Sequence, residues 1–157
     1  MNRRWILILS LFTASLILYS CKDDEGFHQV STVERNIYLN INEYRSSEGL
    51  PTLVEQFLVF KEARTISDKM ASGVYTTGDA KALHDVEAIT ANLGGTTSAL
   101  ISLTSNIENA DSIVNHIIES PSLAEIIKDE FTQCGVGLSS GENQLRYIAI
   151  VLINIPN

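Results

Sequence analysis

Apolar residues recur at helical spacing in three parts of the chain. The first part begins with Ser31 and Glu34, which form a capping-box pattern, and ends before Gly49. The same spacing predicts a second helix over residues 54–72 and a third over residues 79–92, each followed by glycine. The predicted buried stripes of the three helices are Val33, Ile37, Ile41 and Tyr44; Val59, Ala63, Ile66 and Met70; and Ala82, Leu83, Val86 and Ile89.

The next part of the chain has a less regular pattern. Residues 96–107 are rich in serine, threonine and aliphatic side chains, and their periodicity is compatible with a strand, a buried loop or a short helix. Beyond them, either Asn109 or Asp111 can cap a helix that Pro121 ends. Because proline is also favoured at a first helical position, Pro121 can begin a further short helix.

The C-terminal pattern predicts a β-hairpin. Residues 135–139 and 145–155 are dense in apolar or β-branched side chains, and the polar residues 140–143 lie between them. The segment 147–153 is apolar at every position, so neither face of its strand can be exposed to water without loss. We therefore expect an α+β domain: a three-layer α-β-α sandwich with a small antiparallel sheet that ends in a C-terminal hairpin.

The N-terminus has the pattern of a secretory signal. Arg3 and Arg4 precede an apolar run over residues 5–19, and Leu-Tyr-Ser leads directly into Cys21. This resembles a bacterial lipoprotein signal, in which the cysteine after the cleavage site is acylated. The apolar run is shorter than the roughly 20 residues needed to span a bilayer, which makes an uncleaved anchor with an ordinary thiol the weaker interpretation.

These patterns divide the chain into three parts. We expect a lipoprotein signal peptide over residues 1–20, a lipid-anchored acidic tether over 21–30 and a single domain over 31–157. A lipid on Cys21 would hold that domain to a membrane of the bacterial cell envelope. The acids after Cys21 resemble the tag of surface-displayed lipoproteins in some Gram-negative lineages, but they also suit a plain spacer. We therefore expect an outer-membrane position, with exposure at the cell surface left open.

Charge narrows the range of partners. The formal net charge is -8, with 11 basic and 19 acidic side chains, and it becomes more negative when the two signal arginines are removed. An acidic surface repels phosphate backbones and anionic headgroups, so we expect no nucleic-acid partner and no electrostatic help in membrane attachment.

Two isolated features have more than one chemical interpretation. If Cys21 is acylated, Cys134 has no disulfide partner, and its apolar surroundings in the sequence favour a buried structural thiol. Residues 137–141 match G-x-S-x-G around Ser139, but no histidine follows His116 to act as its base. Because the following segment also resembles a strand, we do not expect a serine hydrolase.

Residues 42–45 fit N-x-x-R, and 49–53 fit G-L-x-x-L. These motifs resemble the opening of bacterial CAP domains, the superfamily of cysteine-rich secretory, antigen 5 and pathogenesis-related proteins. Residues 63–71 are similar to the family's second helix, 120–121 to its S-P pair and 131–137 to its F-x-x-x-G-V-G. The resemblance implies the family's three-layer α-β-α sandwich.

The resemblance breaks down at the family's cavity, where two histidines and acidic residues can bind a divalent metal. His84 stands at the first histidine's place, but Leu123 replaces the second. The G-E-N segment aligns with Ser105 and Asn106 in its last two positions, or else with residues 90–92, and neither alignment keeps the glutamate. The resemblance therefore implies a degenerate cleft of His84, Ser105, Asn106 and Leu123, with no metal, cofactor or catalytic residue.

These observations favour a membrane-anchored envelope lipoprotein that binds a ligand or partner without catalysis. The alternative is a hydrolase or metal-dependent enzyme that uses a residual cleft around His84 with Glu87 or Glu108. A purely structural envelope protein is the third possibility.

Overall fold

The computed structural model describes residues 30–156, apart from the side chain of Asn143. The predicted signal peptide over 1–20, the predicted acylation site at Cys21 and the predicted tether up to residue 29 lie outside the described residues. Within 30–156, no helix has the length and apolar character needed to cross a membrane.

The elements follow one another in the order helix, strand, two helices, strand, two helices and a final pair of strands. Their bounds are α1 Thr32–Ser47, β1 Val54–Glu55, α2 Phe57–Ala71, α3 Ala80–Asn92, β2 Thr97–Ser105, α4 Ala110–Glu119, α5 Pro121–Lys128, β3 Gln133–Ser140 and β4 Arg146–Asn154, with a 3₁₀ turn at Glu142–Gln144 between the last two strands.

The four strands form one sheet in the order β1-β3-β4-β2. The strand β4 pairs antiparallel with both β3 and β2, which confirms the antiparallel C-terminal hairpin. The two-residue β1 pairs parallel with the start of β3 at one edge, because Val54 lies opposite Gln133. This short parallel edge was not expected from the sequence.

Side chains of β4 alternate between two cores. Ile148, Ile150 and Leu152 pack with α1, α4 and α5, whereas Ala149 and Val151 pack with α2 and α3 on the opposite face. Helices therefore cover both faces of the sheet, which confirms the α+β three-layer sandwich. It also explains why this strand is apolar throughout.

Two glycines of β3 set the distance between α2 and the sheet. A Cβ at Gly135 would overlap the backbone of Val59, and one at Gly137 would overlap the carbonyl group of Ala63. Any larger residue would push the helix away from the strand. The G-V-G motif is thus a packing requirement of this layer.

The predicted element boundaries need two refinements. The second helix begins at Phe57 rather than at residue 54, because Val54–Glu55 is extended and paired in the sheet. Gln56 caps that helix by accepting a hydrogen bond from the Leu58 N–H at 2.8 Å. The periodicity of residues 96–107 does not distinguish a strand from a loop or a short helix. In the structure this segment contains the nine-residue strand β2, which pairs antiparallel with β4 along its whole length.

Candidate functional site

A groove of about 490 Å³ lies between the C-terminal half of α2 and the end of β3. The groove is shallow and largely open to solvent. The groove is lined by Arg64, Asp68, Ala71, Ser72, Leu138, Ser139 and Ser140.

A buried carboxylate organises one wall of the groove. Glu34 is fully buried, and its oxygens accept hydrogen bonds from the backbone N–H groups of Ser31 at 2.7 Å and Leu138 at 2.9 Å. Arg64 donates to the same carboxylate through Nε at 2.7 Å and through Nη2. The capping-box glutamate of α1 therefore joins the start of the domain, the β3 edge and the groove in one network.

A second set of contacts fixes the floor of the groove. The Ser139 hydroxyl donates to Oδ1 of Asp68, and Oγ of Ser67 lies 2.8 Å from Oγ of Ser139. Ser139 is only 8% exposed and belongs to the continuous strand β3. Ser139 therefore does not lie on the sharp strand-to-helix turn that presents the serine nucleophile in enzymes with the G-x-S-x-G motif.

Two polar atoms in the groove remain available to a ligand. Among residues 30–156, no hydrogen-bond partner is found for Oδ2 of Asp68 or for Nη1 of Arg64. Arg64 is partly buried, and no buried side-chain nitrogen or oxygen of such residues in the described chain lacks a partner, so its Nη1 reaches solvent, whereas Asp68 is an exposed residue. Because Arg64 and Asp68 are four residues apart on α2, they face the groove from neighbouring turns.

The arginine of the N-x-x-R segment has a different role. Arg45 is 2% exposed, and burial lowers the pKa of its guanidinium. All three of its nitrogens donate to main-chain carbonyls, namely those of Pro51 at 2.9 Å, Asp129 at 3.0 Å, Phe131 at 3.5 Å and Ile127. Asn42 of the same segment bonds both backbone groups of Leu53, at 2.7 and 3.1 Å. This motif fixes loops and does not form a ligand site.

The structure does not bring the four residues of the expected cleft together. His84 projects from α3 with its side chain 81% exposed, and its Nδ1 lies 3.7 Å from Oε2 of Glu87. Leu123 is on α5 and packs against the core on the opposite face of the sheet. Ser105 ends β2, where its hydroxyl accepts from the backbone N–H of residue 107 at 2.9 Å, and Asn106 is exposed beside it.

None of these four residues lines the groove. Within the described part of the chain, no group of three or more His, Cys, Asp or Glu side chains is arranged to hold a metal ion.

A polar cluster joins α2 to α3 beside His84. Nζ of Lys69 lies 2.7 Å from Oδ2 of Asp85, and the Tyr75 hydroxyl donates to the same oxygen at 2.7 Å. Hydrogen bonds from Lys69 and Tyr75 lower the pKa of Asp85, and the hydrogen bond to Asp85 raises the pKa of Lys69. Since these groups satisfy one another, the cluster fastens the two helices.

Cys134 lies in the core, as the sequence analysis expected. It is fully buried, and loss of solvation raises the pKa of its thiol to about 12. The thiolate that would be needed for nucleophilic chemistry is therefore strongly disfavoured at neutral pH.

The sequence contained only partial signals for the groove. The capping box identified Glu34, but its Arg64 and Leu138 partners are distant in the chain. Arg64 and Asp68 lie on the polar side of the second helical pattern, which is typical of a solvent-exposed helix face. Ser139 stands out in the sequence only through the G-x-S-x-G match. The helical spacing of Arg64 and Asp68 was the single local signal that could have linked two groove residues.

A family model described as "CAP: Cysteine-rich secretory protein family" matches residues 38–153. The chain belongs to the CAP family. The matched range includes α2, β3 and all groove-lining residues, whereas Glu34 precedes it. No curated protein sequence is significantly similar to this CAP chain.

Solved structures share the same fold. An outer surface protein from Borrelia burgdorferi is 16% identical with a TM-score of 0.70, and the match covers 82% of this chain and 96% of that one. An extracellular protein containing a SCP domain from Bacillus anthracis is 17% identical with a TM-score of 0.64, covering 77% of this chain and 40% of that one.

A cysteine-rich secretory protein from Staphylococcus aureus is 14% identical with a TM-score of 0.66, and the match covers 82% of this chain and 40% of that one. In the Bacillus and Staphylococcus proteins, the shared fold is therefore one part of a longer chain. At these identities, the structural neighbours support the fold of this CAP domain and say nothing about its ligand.

Proposed function

We propose that this CAP-family chain is a lipid-anchored protein of the bacterial cell envelope that binds a polar ligand in the α2–β3 groove without chemically changing it. The single observation that carries the binding role is the pair of available atoms, Oδ2 of Asp68 and Nη1 of Arg64, in a groove of about 490 Å³. A rigid concave surface with a few oriented polar groups is the usual form of a ligand site.

The contacts of the groove support binding rather than catalysis. The Ser139 proton is directed at Asp68, and the charge of Arg64 is matched by the buried carboxylate of Glu34. A nucleophile needs an adjacent base and a reacting position open to substrate, whereas Ser139 is 8% exposed. The residues around it are held in fixed positions, which favours recognition.

The envelope location rests on the N-terminal pattern and on the neighbours. The lipoprotein signal that ends at Cys21 predicts attachment, and two structural neighbours are described as an outer surface protein and an extracellular protein. An acylated Cys21 and a tether of ten residues would allow the domain to move up to about 35 Å from the membrane.

Metabolic labelling with palmitate tests the anchor. The full chain should take up the label and fractionate with the envelope, whereas Cys21→Ala should accumulate as an unlabelled precursor. Cys134→Ala is the matched control and should be labelled normally, because that thiol is buried in the core. Equal labelling of Cys21→Ala and the parent chain would refute anchoring at this residue.

A groove-filling substitution tests the binding role. Ala71→Trp places an indole in the groove, and Ala88→Trp places the same side chain on the exposed surface of α3. Native mass spectrometry of the full chain after incubation with fractionated envelope small molecules should reveal a bound species that only Ala71→Trp excludes. Recovery of a chemically altered species would instead support an enzyme.

A further inference from the structure

We propose that the α2–β3 groove recognises a neutral carbohydrate. This inference rests on the proposed binding function and names its ligand class. It follows from the donor and acceptor groups of the groove-lining residues that make no hydrogen bond within the described protein.

The groove has both donors and acceptors to offer. Nη1 of Arg64 is an available donor, and Ser140 can donate its proton because its Oγ accepts from Nη1 of Arg146 at 2.6 Å. Oδ2 of Asp68 is an available acceptor, and Ser72 can accept because its proton is directed to the main-chain oxygens of residues 68 and 69, at 2.9 and 3.1 Å. A hydroxyl group donates and accepts at one atom, so a polyhydroxylated ligand matches this mixture.

The charge of the groove argues against an ionic ligand. Arg64 is paired with Glu34, and Arg146 contacts Ser140 at the edge of the groove, so the charge of Asp68 is balanced by that of Arg146. The groove therefore has no local excess charge that would attract an ion, and the net charge of -8 of the whole chain repels anions. A cation would contact Asp68 but would make no use of the Arg64 and Ser140 donors, so it matches only part of the hydrogen-bonding capacity of the groove.

The edge of β3 argues against an added peptide strand. A peptide that extends a sheet needs the outward backbone groups of the edge strand. Here the outward N–H of Leu138 already donates to Oε1 of Glu34 at 2.9 Å, and Glu34 is held by Arg64. Side chains therefore have to provide recognition. Leu138 and Ala71 add apolar surface that can contact the C–H face of a sugar ring.

Saturation-transfer NMR and calorimetry test the ligand class on the full chain in a detergent without a sugar headgroup. The neutral probes are maltotriose, mannotriose and chitotriose, and the competing classes are represented by trigalacturonate, spermidine and a tripeptide blocked at both ends. We expect at least one neutral trisaccharide to bind.

Asp68→Asn should weaken that binding by at least about tenfold, because a hydrogen bond to a charged acceptor is lost. Asp111→Asn makes the same chemical change on α4, which packs on the opposite face of the sheet, and should bind like the parent chain. Ser140→Ala is a second groove variant that tests the donor side, and it should also weaken binding. Thermal unfolding of each variant confirms that the fold is retained.

The outcomes separate the two proposals. If no neutral trisaccharide binds, or if binding is equal in Asp68→Asn and the parent chain, the carbohydrate proposal is overturned. If one of the charged or peptide probes alone binds in an Asp68-dependent way, the ligand class is wrong and the binding function stands. If no probe binds and Ala71→Trp also has no effect on envelope-derived ligands, both proposals fail.

Discussion

Arg45 and Arg64 show two different uses of a guanidinium on the inner side of a helix. Every nitrogen of Arg45 donates to a main-chain carbonyl, and the side chain is 2% exposed. Arg64 is 24% exposed and lines the groove, and it pairs with Glu34 through two nitrogens while the third has no partner among the described residues. The region around Arg45 is therefore scaffold, whereas the region around Arg64 combines a structural pair with the proposed binding surface.

The difference shows how a motif residue should be interpreted. The N-x-x-R segment is the clearest family-like feature of the sequence, yet its arginine is 2% exposed and directs four of its five N–H groups to main-chain carbonyls, which leaves no accessible donor for a ligand. Arg64 belongs to a less specific motif, but its Nη1 has no hydrogen-bond partner among the described residues. Hydrogen-bonding capacity that is left over after folding, and not the strength of a sequence match, identifies the candidate site.

The largest expected effect is that of Arg45→Met. Removal of the guanidinium leaves several buried carbonyls without a donor, so the free energy of unfolding should fall by about 3–5 kcal/mol. Urea unfolding at neutral pH measures the change. The matched control is Arg35→Met, since Arg35 is 57% exposed and forms one ion pair, and it should change stability by less than about 1 kcal/mol. A small effect at Arg45 would remove the distinction between the two regions.

Arg64→Met should have the next largest effect. It leaves the buried Glu34 carboxylate without its cation and should cost about 2–3 kcal/mol, less than the full cost of breaking a fully buried pair, because Arg64 is partly solvated. Adding Glu34→Gln removes the unpaired charge and keeps the capping box, but its amide NH2 then faces the Leu138 N–H, so it should restore only part of the loss. A double variant no more stable than Arg64→Met would show that the ion pair is not the source of the loss.

The third prediction concerns the decrease in stability at alkaline pH that is due to the buried thiol of Cys134. Burial raises the pKa of Cys134 from 9.0 to about 12, so above pH 9 the unfolded chain releases this proton while the folded chain retains it. The stability that the protonated Cys134 thiol contributes is present below pH 9 and is lost as the pH rises. Between pH 8 and 10 the free energy of unfolding should fall by about 1 kcal/mol for this reason. Urea unfolding of Cys134→Ala should show a shallower decline over the same range. Parallel declines would contradict a buried, protonated thiol.

The smallest effect on stability is expected for Asp68→Asn. Asp68 is exposed, and an asparagine oxygen can still accept the proton of Ser139, so the free energy of unfolding should change by less than about 1 kcal/mol. Loss of ligand binding without loss of stability would sharpen the contrast between groove and scaffold. A large destabilisation would instead assign Asp68 to the scaffold.

Much of the architecture could be predicted because it depends on local patterns. The capping box at Ser31 and Glu34 begins α1, Asp79 caps α3, and the apolar run within β4 requires cover on both faces. The start of α2 could not be predicted, because Val54–Glu55 becomes extended only through pairing with β3. Residues 96–107 could not be assigned from the sequence for the same reason, because the strand that they form depends on pairing with β4, which comes much later in the chain.

The expected cleft shows the limit of alignment by motif. His84 and Leu123 occupy family-like positions in the sequence, but α3 and α5 cover opposite faces of the sheet. The groove residues Arg64, Asp68 and Ser139 had no shared sequence pattern beyond the helical spacing of the first two. Their proximity depends on Gly135 and Gly137, which allow α2 to approach β3.

The sequence by itself determined the helices, the C-terminal hairpin, the layered fold class and the burial of Cys134, because these follow from caps and apolar patterns, and its motifs gave the family resemblance. It also contains the lipoprotein pattern that ends at Cys21. Only the tertiary structure decided which polar groups are consumed and which remain available. That outcome depends on contacts such as those of Glu34 with Arg64 and Leu138, which join residues 30 and 104 positions apart.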